Sequence, residues 1–384
     1  MIELFTDPWI LGLVLLGTIL GITVGAVPGL TGTMLIALSL PLTFSMEPVA
    51  GLVLLVAMYV GAVSGGLISA TLLRMPGTPA AVMTTLDGYP MASSGRPGRA
   101  LGLGVGASLF GGLISWLALW QLSEPMADWS TKLGPWELFS LVVLALALLA
   151  GVGDSTRARG LLAGSLGVLV AMPGMHPATG ELRWTLSMTS MNEGFRLIPV
   201  LIGMFAIGKI LEDLTGKEGE VEKVSGKDSA WIPFGVWKKQ LINLFRSSGI
   251  GTLIGVLPGV GANIGSLAAY MAAKRASRQP DEFGKGSEEG IVASESANNA
   301  TVGGALIPLI ALGVPGSVIG AVLLGALIVH GLQPGPLLFR QNPEAVHAII
   351  GTVLMANVLM FLVMLGFARW IAKLSFVPKK ILFP

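Results

Sequence analysis

Cysteine is absent from this sequence, and only three of its 384 residues are histidine. The first absence rules out disulfides and thiolate metal sites. The histidines, His176, His330 and His347, lie too far apart for metal-ligand spacing. Charge is scarce as well: Asp, Glu, Lys and Arg make up 12% of the chain, against roughly a quarter of an average soluble domain. The charges that remain nearly cancel, at a net +2, and give no reason to expect a nucleic-acid partner. No Walker motif is present. The glycine runs at Gly102, Gly104 and Gly106 and at Gly259, Gly261 and Gly265 lack the spacing of a dinucleotide fingerprint. No cofactor is implied. The opening Met1-Ile-Glu-Leu-Phe-Thr-Asp-Pro has acids where a secretory signal has bases, so the first apolar segment is expected to stay as a helix.

What fills the chain is apolar. Hydrophobic residues make up 53%, mean hydropathy is +0.76, and runs long enough to cross a bilayer recur from end to end. The sequence reads as an all-α polytopic membrane protein lying in a lipid bilayer. Helices are expected at 9–27, 49–73, 100–122, 136–152, 160–172, 195–211 and 241–257, with short apolar limbs at 33–42 and up to Ala273. Trp116, Trp120, Trp129 and Trp136 crowd a junction, as aromatic residues do at headgroup level. Residues 212–230 form a hydrophilic linker, and 231–240 are expected to lie along the interface ahead of the next helix.

Two stretches organise the rest. Gly21-Ile-Thr-Val-Gly25-Ala-Val-Pro28-Gly29 and Gly251-Thr-Leu-Ile-Gly255-Val-Leu-Pro258-Gly259 share one pattern, 230 positions apart. A second pair, Gly65-Gly66 to Pro76-Gly77-Thr78 and Gly303-Gly304 to Pro315-Gly316-Ser317, follows at an offset of 238 when the glycine pairs are aligned. Two repeats are therefore expected, 1–211 with extra helices and 231–384, each with a re-entrant hairpin broken at Pro-Gly and discontinuous helices. Such pairs point to the binding site of a transporter and to inverted topology. The loop charges pull the other way. Lys274, Arg275 and Arg278 place their loop in the cytoplasm, and Arg96 and Arg99 place theirs on the same side, which a simple inverted pair does not accommodate.

The candidate site gathers around these breaks. Broken helices aim free N–H groups at an anion without needing a lysine, so Pro28, Gly29, Thr31, Gly32 and Thr33 are expected to face Pro258, Gly259, Gly261 and Asn263. Backbone carbonyls at the same breaks are candidate sodium ligands. Ser294, Asn298 and Asn299 lie in the densest polar run of an apolar setting, and an intramembrane acid such as Glu295 marks function by default. Gly77, Thr78, Ser266, Thr301 and Ser317 are further candidates. Arg74 and Asp87 either pair with each other or meet substrate. An intramembrane enzyme would need a catalytic dyad, and no paired histidines or close aspartates stand at helix depth.

Four motifs carry a family resemblance: Pro28-Gly29-Leu-Thr-Gly-Thr33, Met75-Pro-Gly-Thr-Pro-Ala80, Leu257-Pro-Gly-Val-Gly-Ala-Asn263 and Glu295-Ser-Ala-Asn-Asn-Ala300. With them the whole chain resembles the large membrane subunit (TctA family) of tripartite tricarboxylate transporters. The resemblance implies a secondary transporter in a bacterial inner membrane. It would import di- or tricarboxylates by alternating access, driven by a sodium or proton gradient. It also implies two partners, a small membrane subunit and a periplasmic solute-binding protein. A self-sufficient symporter and a non-transporting scaffold subunit are the alternatives. Family members continue through further helices, so the 231–384 repeat is expected to be shortened where the chain stops at Lys379-Lys-Ile-Leu-Phe-Pro384.

Overall fold

The computed structural model of the chain describes residues 6–152, 157–176, 180–195, 197–208, 210–211 and 228–374. Helix dominates it. In chain order α1 is Pro8–Ala26, α2 Gly32–Thr43, α3 Pro48–Leu73, α4 Val82–Ser93, α5 Pro97–Ser130, α6 Pro135–Val152, α7 Arg157–Ala171 and α8 Leu197–Leu201. After the linker come α9 Phe234–Val256, α10 Gly261–Ala276, α11 Glu288–Leu312, α12 Val318–Val329, α13 Pro336–Gln341 and α14 Pro343–Leu374. Among the described residues four helices are long and apolar enough to cross a membrane: α1, α3, α5 and α14 as far as Phe367. The chain is an all-α membrane protein. Most of the expected linker, and Asp154 in the α6–α7 turn, lie outside the described residues.

Three expectations need correction. The helix expected at 100–122 runs from Pro97 to Ser130. It starts early because Asp228 receives the free N–H groups of Gly98 and Arg99 at 2.6 and 2.8 Å, a cap supplied from the far end of the linker. The interfacial segment expected at 231–240 is largely helix, since α9 begins at Phe234. The 195–211 span is α8 continued by a π-helical turn, Ile202–Ile207.

Close helix contacts explain the glycine spacing. A side chain on Gly17, Gly21 or Gly25 would strike α3 near Leu54, Met58 and Ala62 in turn, so α1 and α3 run parallel with their backbones touching. Gly251 and Gly255 of α9 stand in the same way against Ala297 and Thr301 of α11. Conversely, Gly65 of α3 abuts Ile22, and Gly304 of α11 abuts Thr252. This pairs Gly65 with Gly304, one residue on from the sequence alignment; Gly303 instead meets Ser115 of α5. The packing of α1 on α3 thus recurs, contact by contact, in α9 on α11.

Helix directions follow from the same contacts. Arg99 pairs with Glu288 at 2.5 Å, Ser108 bonds Glu295 at 3.1 Å, and Ser130 reaches the Ala311 carbonyl at 3.4 Å, so α5 and α11 are parallel. Ile22 and Ala26, at the broken end of α1, share a core cluster with Leu67, Ile68, Leu101 and Val105. That places the far end of α1 beside the start of α5, so α1 and α3 run against α11. At one end of the molecule Thr43 bonds His330 at 3.0 Å. At the other, the loop before α5 meets the loop at 277–287 through the Arg99–Glu288 pair. The segments that carry Arg96 and Arg99 and Lys274, Arg275 and Arg278 therefore meet at one end of the molecule.

Asp87 ties that end together. Its Oδ1 accepts from the backbone N–H groups of Gly284, Gly286 and Ser287 at 2.8, 2.9 and 2.8 Å, and its Oδ2 from the Tyr270 hydroxyl at 2.8 Å. Gly284 and Gly286 adopt φ of +88° and +104°. Those angles let successive N–H groups turn onto one oxygen, and they favour glycine. Arg74 and Asp87 do not pair. Arg74 caps α3 in the left-handed region at φ +56°, and its guanidinium lies 5.6 Å from the Tyr89 ring centre.

Candidate functional site

Proline cannot continue a helix, because it lacks the N–H group and its ring crowds the preceding turn. Both Pro-Gly breaks obey this in the same geometry. Val27 and Leu257 leave the helix for extended backbone, at ψ 115° and 122°, while each N–H still bonds the residue three back at 3.1 Å. Gly29 and Gly259 then take φ of +96° and +74°, which turns the chain into α2 and α10. The second breaks match too. Arg74 and Gly313 are both left-handed C-caps, and Thr78 and Ser317 both precede a new helix in extended backbone. Gly77 is pressed onto the carbonyl of Gly25, as Gly316 is onto that of Gly255.

These four breaks open onto one cavity of about 750 Å³. Thr31, Gly32 and Thr33 line it from one side, and Gly259, Gly261 and Asn263 from another. Thr78 and Ser317 complete it at the second breaks. The N-termini of α2, α10 and α12, together with the short turn Pro79–Ala81 that leads into α4, all border this space. The three α-helices bring N-terminal N–H groups and the positive ends of their dipoles. Thr31 and Ser317 use their hydroxyls on their own helices, accepting from Met34 N at 3.1 Å and Gly320 N at 3.0 Å. Among the described residues no charged side chain lines the cavity. Its polar lining consists of helix N-termini and hydroxyl or amide groups, set among apolar side chains such as Val63, Val318 and Ile319.

Other candidates lie behind the wall. Pro28, Gly29 and Pro258 build the turns themselves. Ser294, Glu295, Asn298, Asn299 and Thr301 are fully or almost fully buried where α11 crosses α3, α4 and α5. Thr84 donates to Glu295, and Ser108 donates to its other oxygen at 3.1 Å. Ser64 donates to Asn299 at 2.5 Å, Ser266 donates to the Ser294 carbonyl at 3.1 Å, and Thr301 bonds its own helix at Asn298. This run ties α11 to α3, α4, α5 and α10, and Asn298 bonds a cavity-lining residue through the Val63 carbonyl at 3.4 Å.

Sequence reading missed Tyr59, Val63 and Ile319, which also line the cavity. Tyr59 had a legible signal, as one of three tyrosines in the chain, set within the long apolar run 49–63. Its hydroxyl meets Ser317 Oγ at 3.1 Å. Val63 and Ile319 are aliphatic residues among many, and nothing local singles them out.

The chain is similar to proteins already known. The chain is 33% identical over 370 residues to an uncharacterized 52.8 kDa protein in the TAR-I ttuC' 3' region of Agrobacterium vitis, covering 96% of this chain and 73% of that one. It is 38% identical over 134 residues to an uncharacterized protein in the TAR-II ttuC' 3' region of the same organism, covering 35% of this chain and 55% of that one. No solved structure matches it. Residues 11–384 match the family model described as Tripartite tricarboxylate transporter TctA family, and the chain belongs to that family.

Proposed function

We propose that the chain is the translocating subunit of a carboxylate importer and that the cavity between the four breaks holds the substrate. The observation that carries this is the convergence of helix N-termini on a space of about 750 Å³ in whose lining, among the described residues, no charged side chain stands. A di- or tricarboxylate needs compensating positive potential, and helix ends supply it without a fixed cation that would hold the anion too tightly to release. The recurring glycine contacts and the opposed helix directions support two inverted repeats, with α1–α2 and α9–α10 as re-entrant hairpins entering from opposite faces. Such a pair permits alternating access by rocking one repeat against the other.

Membership of a tripartite family supports delivery by a periplasmic solute-binding protein and assembly with a small membrane subunit, in a bacterial inner membrane. The coupling ion in this reading is sodium or a proton. Uptake by vesicles holding both membrane subunits, with and without the binding protein, tests the whole reading across a panel of di- and tricarboxylates. Full uptake by the chain alone would replace it with a self-sufficient symporter. Asn263→Ala removes a cavity amide and is expected to lower Vmax/KM about tenfold, the weight of one hydrogen bond to a charged ligand. Wild-type kinetics in this variant at matched expression would take the substrate out of this cavity.

A further inference from the structure

Two buried oxygens lack the partner that their counterparts have. Gly77 and Gly316 make the same contact, and so do Gly65 and Gly304, both at an offset of 239. The same offset sets Tyr59 against Asn298 and Thr78 against Ser317. In one half the pair is closed, with the Tyr59 hydroxyl 3.1 Å from Ser317 Oγ. In the other half Thr78 Oγ1 and Asn298 Oδ1 are both buried and neither has a hydrogen-bond partner. Asparagine is shorter than tyrosine by an aromatic ring, so this half is left open where the other is bridged.

The surroundings say what would fill it. Asn298 Nδ2 points to the Val63 carbonyl at 3.4 Å, and the side chain also faces the Glu295 carboxylate. Both are acceptors, which fixes the amide orientation and turns Oδ1 the other way. Glu295 is fully buried and accepts only from hydroxyl and amide groups. Charged groups on the elements packed against it are engaged or distant. Asp87 of α4 holds the 284–287 backbone, Arg246 of α9 donates to Asn243 at 2.7 Å, Arg99 of α5 pairs with Glu288, and Lys274 and Arg275 occupy the last turn of α10. Two neutral oxygens without partners and a carboxylate without a counter-charge form a ligand set for a small hard cation.

We propose that Thr78 Oγ1 and Asn298 Oδ1 ligate one sodium ion, that Glu295 supplies its counter-charge, and that the Tyr59–Ser317 bridge closes the equivalent position in the other half. Thr78 and Val63 both line the cavity, so the ion sits in its wall. This names the coupling ion of the transport reading and rests on that reading for its role, though not for its binding.

Thermal unfolding of the purified chain in sodium, potassium and choline chloride provides the test. Sodium alone is expected to raise the midpoint in wild type. Thr78→Val and Asn298→Leu, close in size, are expected to weaken the apparent sodium affinity at least about tenfold. Thr78→Ser keeps the hydroxyl and is expected to keep the response, which separates ligation from misfolding. Tyr59→Phe opens the other pair and is also expected to keep it. No sodium-specific shift in wild type, an undiminished shift in both Thr78→Val and Asn298→Leu, or equal loss in Tyr59→Phe overturns the proposal. A shift that follows pH and ignores sodium overturns it in favour of a proton on Glu295. Sodium binding without carboxylate uptake would fell the transport reading and leave this site standing.

Discussion

Asp87→Ala is expected to cost about 3–5 kcal/mol of stability, the largest effect of any single side-chain truncation considered. The carboxylate is fully buried and accepts from three backbone N–H groups and the Tyr270 hydroxyl. Alanine leaves all four donors without their acceptor, and two of them, the Ser287 N–H and the Tyr270 hydroxyl, are buried. The loss also unties α4 from the loop that leads into α11, so the two halves separate at that end. Unfolding in detergent, followed by heating, is expected to show a midpoint lower by roughly 10 °C. Asp87→Asn keeps one acceptor oxygen for the three N–H groups, and the Tyr270 hydroxyl can turn to accept, so this variant is expected to lose less than half as much. Arg74→Ala serves as control, because Arg74 makes no contact with Asp87. Equal midpoints for Asp87→Ala and wild type would show that the loop is held by something else.

That role for Asp87 illustrates what sequence alone could carry. The membrane class, the breaks at Pro28-Gly29 and Pro258-Gly259, and the meeting of their tips follow from local rules. Apolar length, proline chemistry and glycine spacing each act within a few residues. Asp87 was legible only as a charge near an apolar segment, with an ion pair to Arg74 and a contact with substrate as the open expectations. Its true donors lie about 200 positions away, in glycines whose positive φ no spacing announces. The polar run at 294–301 was open to two readings. A cluster of asparagines and serines in an apolar helix marks either a ligand or a partner helix. Here Ser64, Thr84, Ser108 and Ser266, scattered over four other helices, supply most of the partners. The glycine alignment slipped by one because Gly65-Gly66 and Gly303-Gly304 look alike as letters. Their neighbours differ: Gly66 faces Thr78 and Ala81, whereas Gly303 faces Ser115.

Gly77→Ala and Gly316→Ala are each expected to reduce uptake at least about tenfold while leaving membrane insertion intact. Neither residue has a positive φ, so alanine is acceptable to the backbone and the constraint is purely one of space. A methyl group on Gly77 would collide with the Gly25 carbonyl and approach Ser69 Oγ to 2.6 Å. On Gly316 it would come within 2.6 Å of the Gly255 carbonyl and 2.8 Å of Ala305 Cα. Those obstacles are mostly backbone, which cannot rotate aside as a side chain can, and overpacking of this kind costs about 1–3 kcal/mol. The strain is relieved most cheaply by moving the second break away from the first, because a break has no helical hydrogen bonds to lose. That displacement shifts Thr78 or Ser317, each the next residue along, out of the cavity wall. Uptake at matched expression measures the effect, and Gly12→Ala and Gly164→Ala are the controls, since a methyl group at either position meets no atom within 4 Å. A uniform loss across all four variants would mean that glycine matters here through helix flexibility. Loss confined to Gly77 and Gly316 would mean that the position of the breaks against α1 and α9 governs transport.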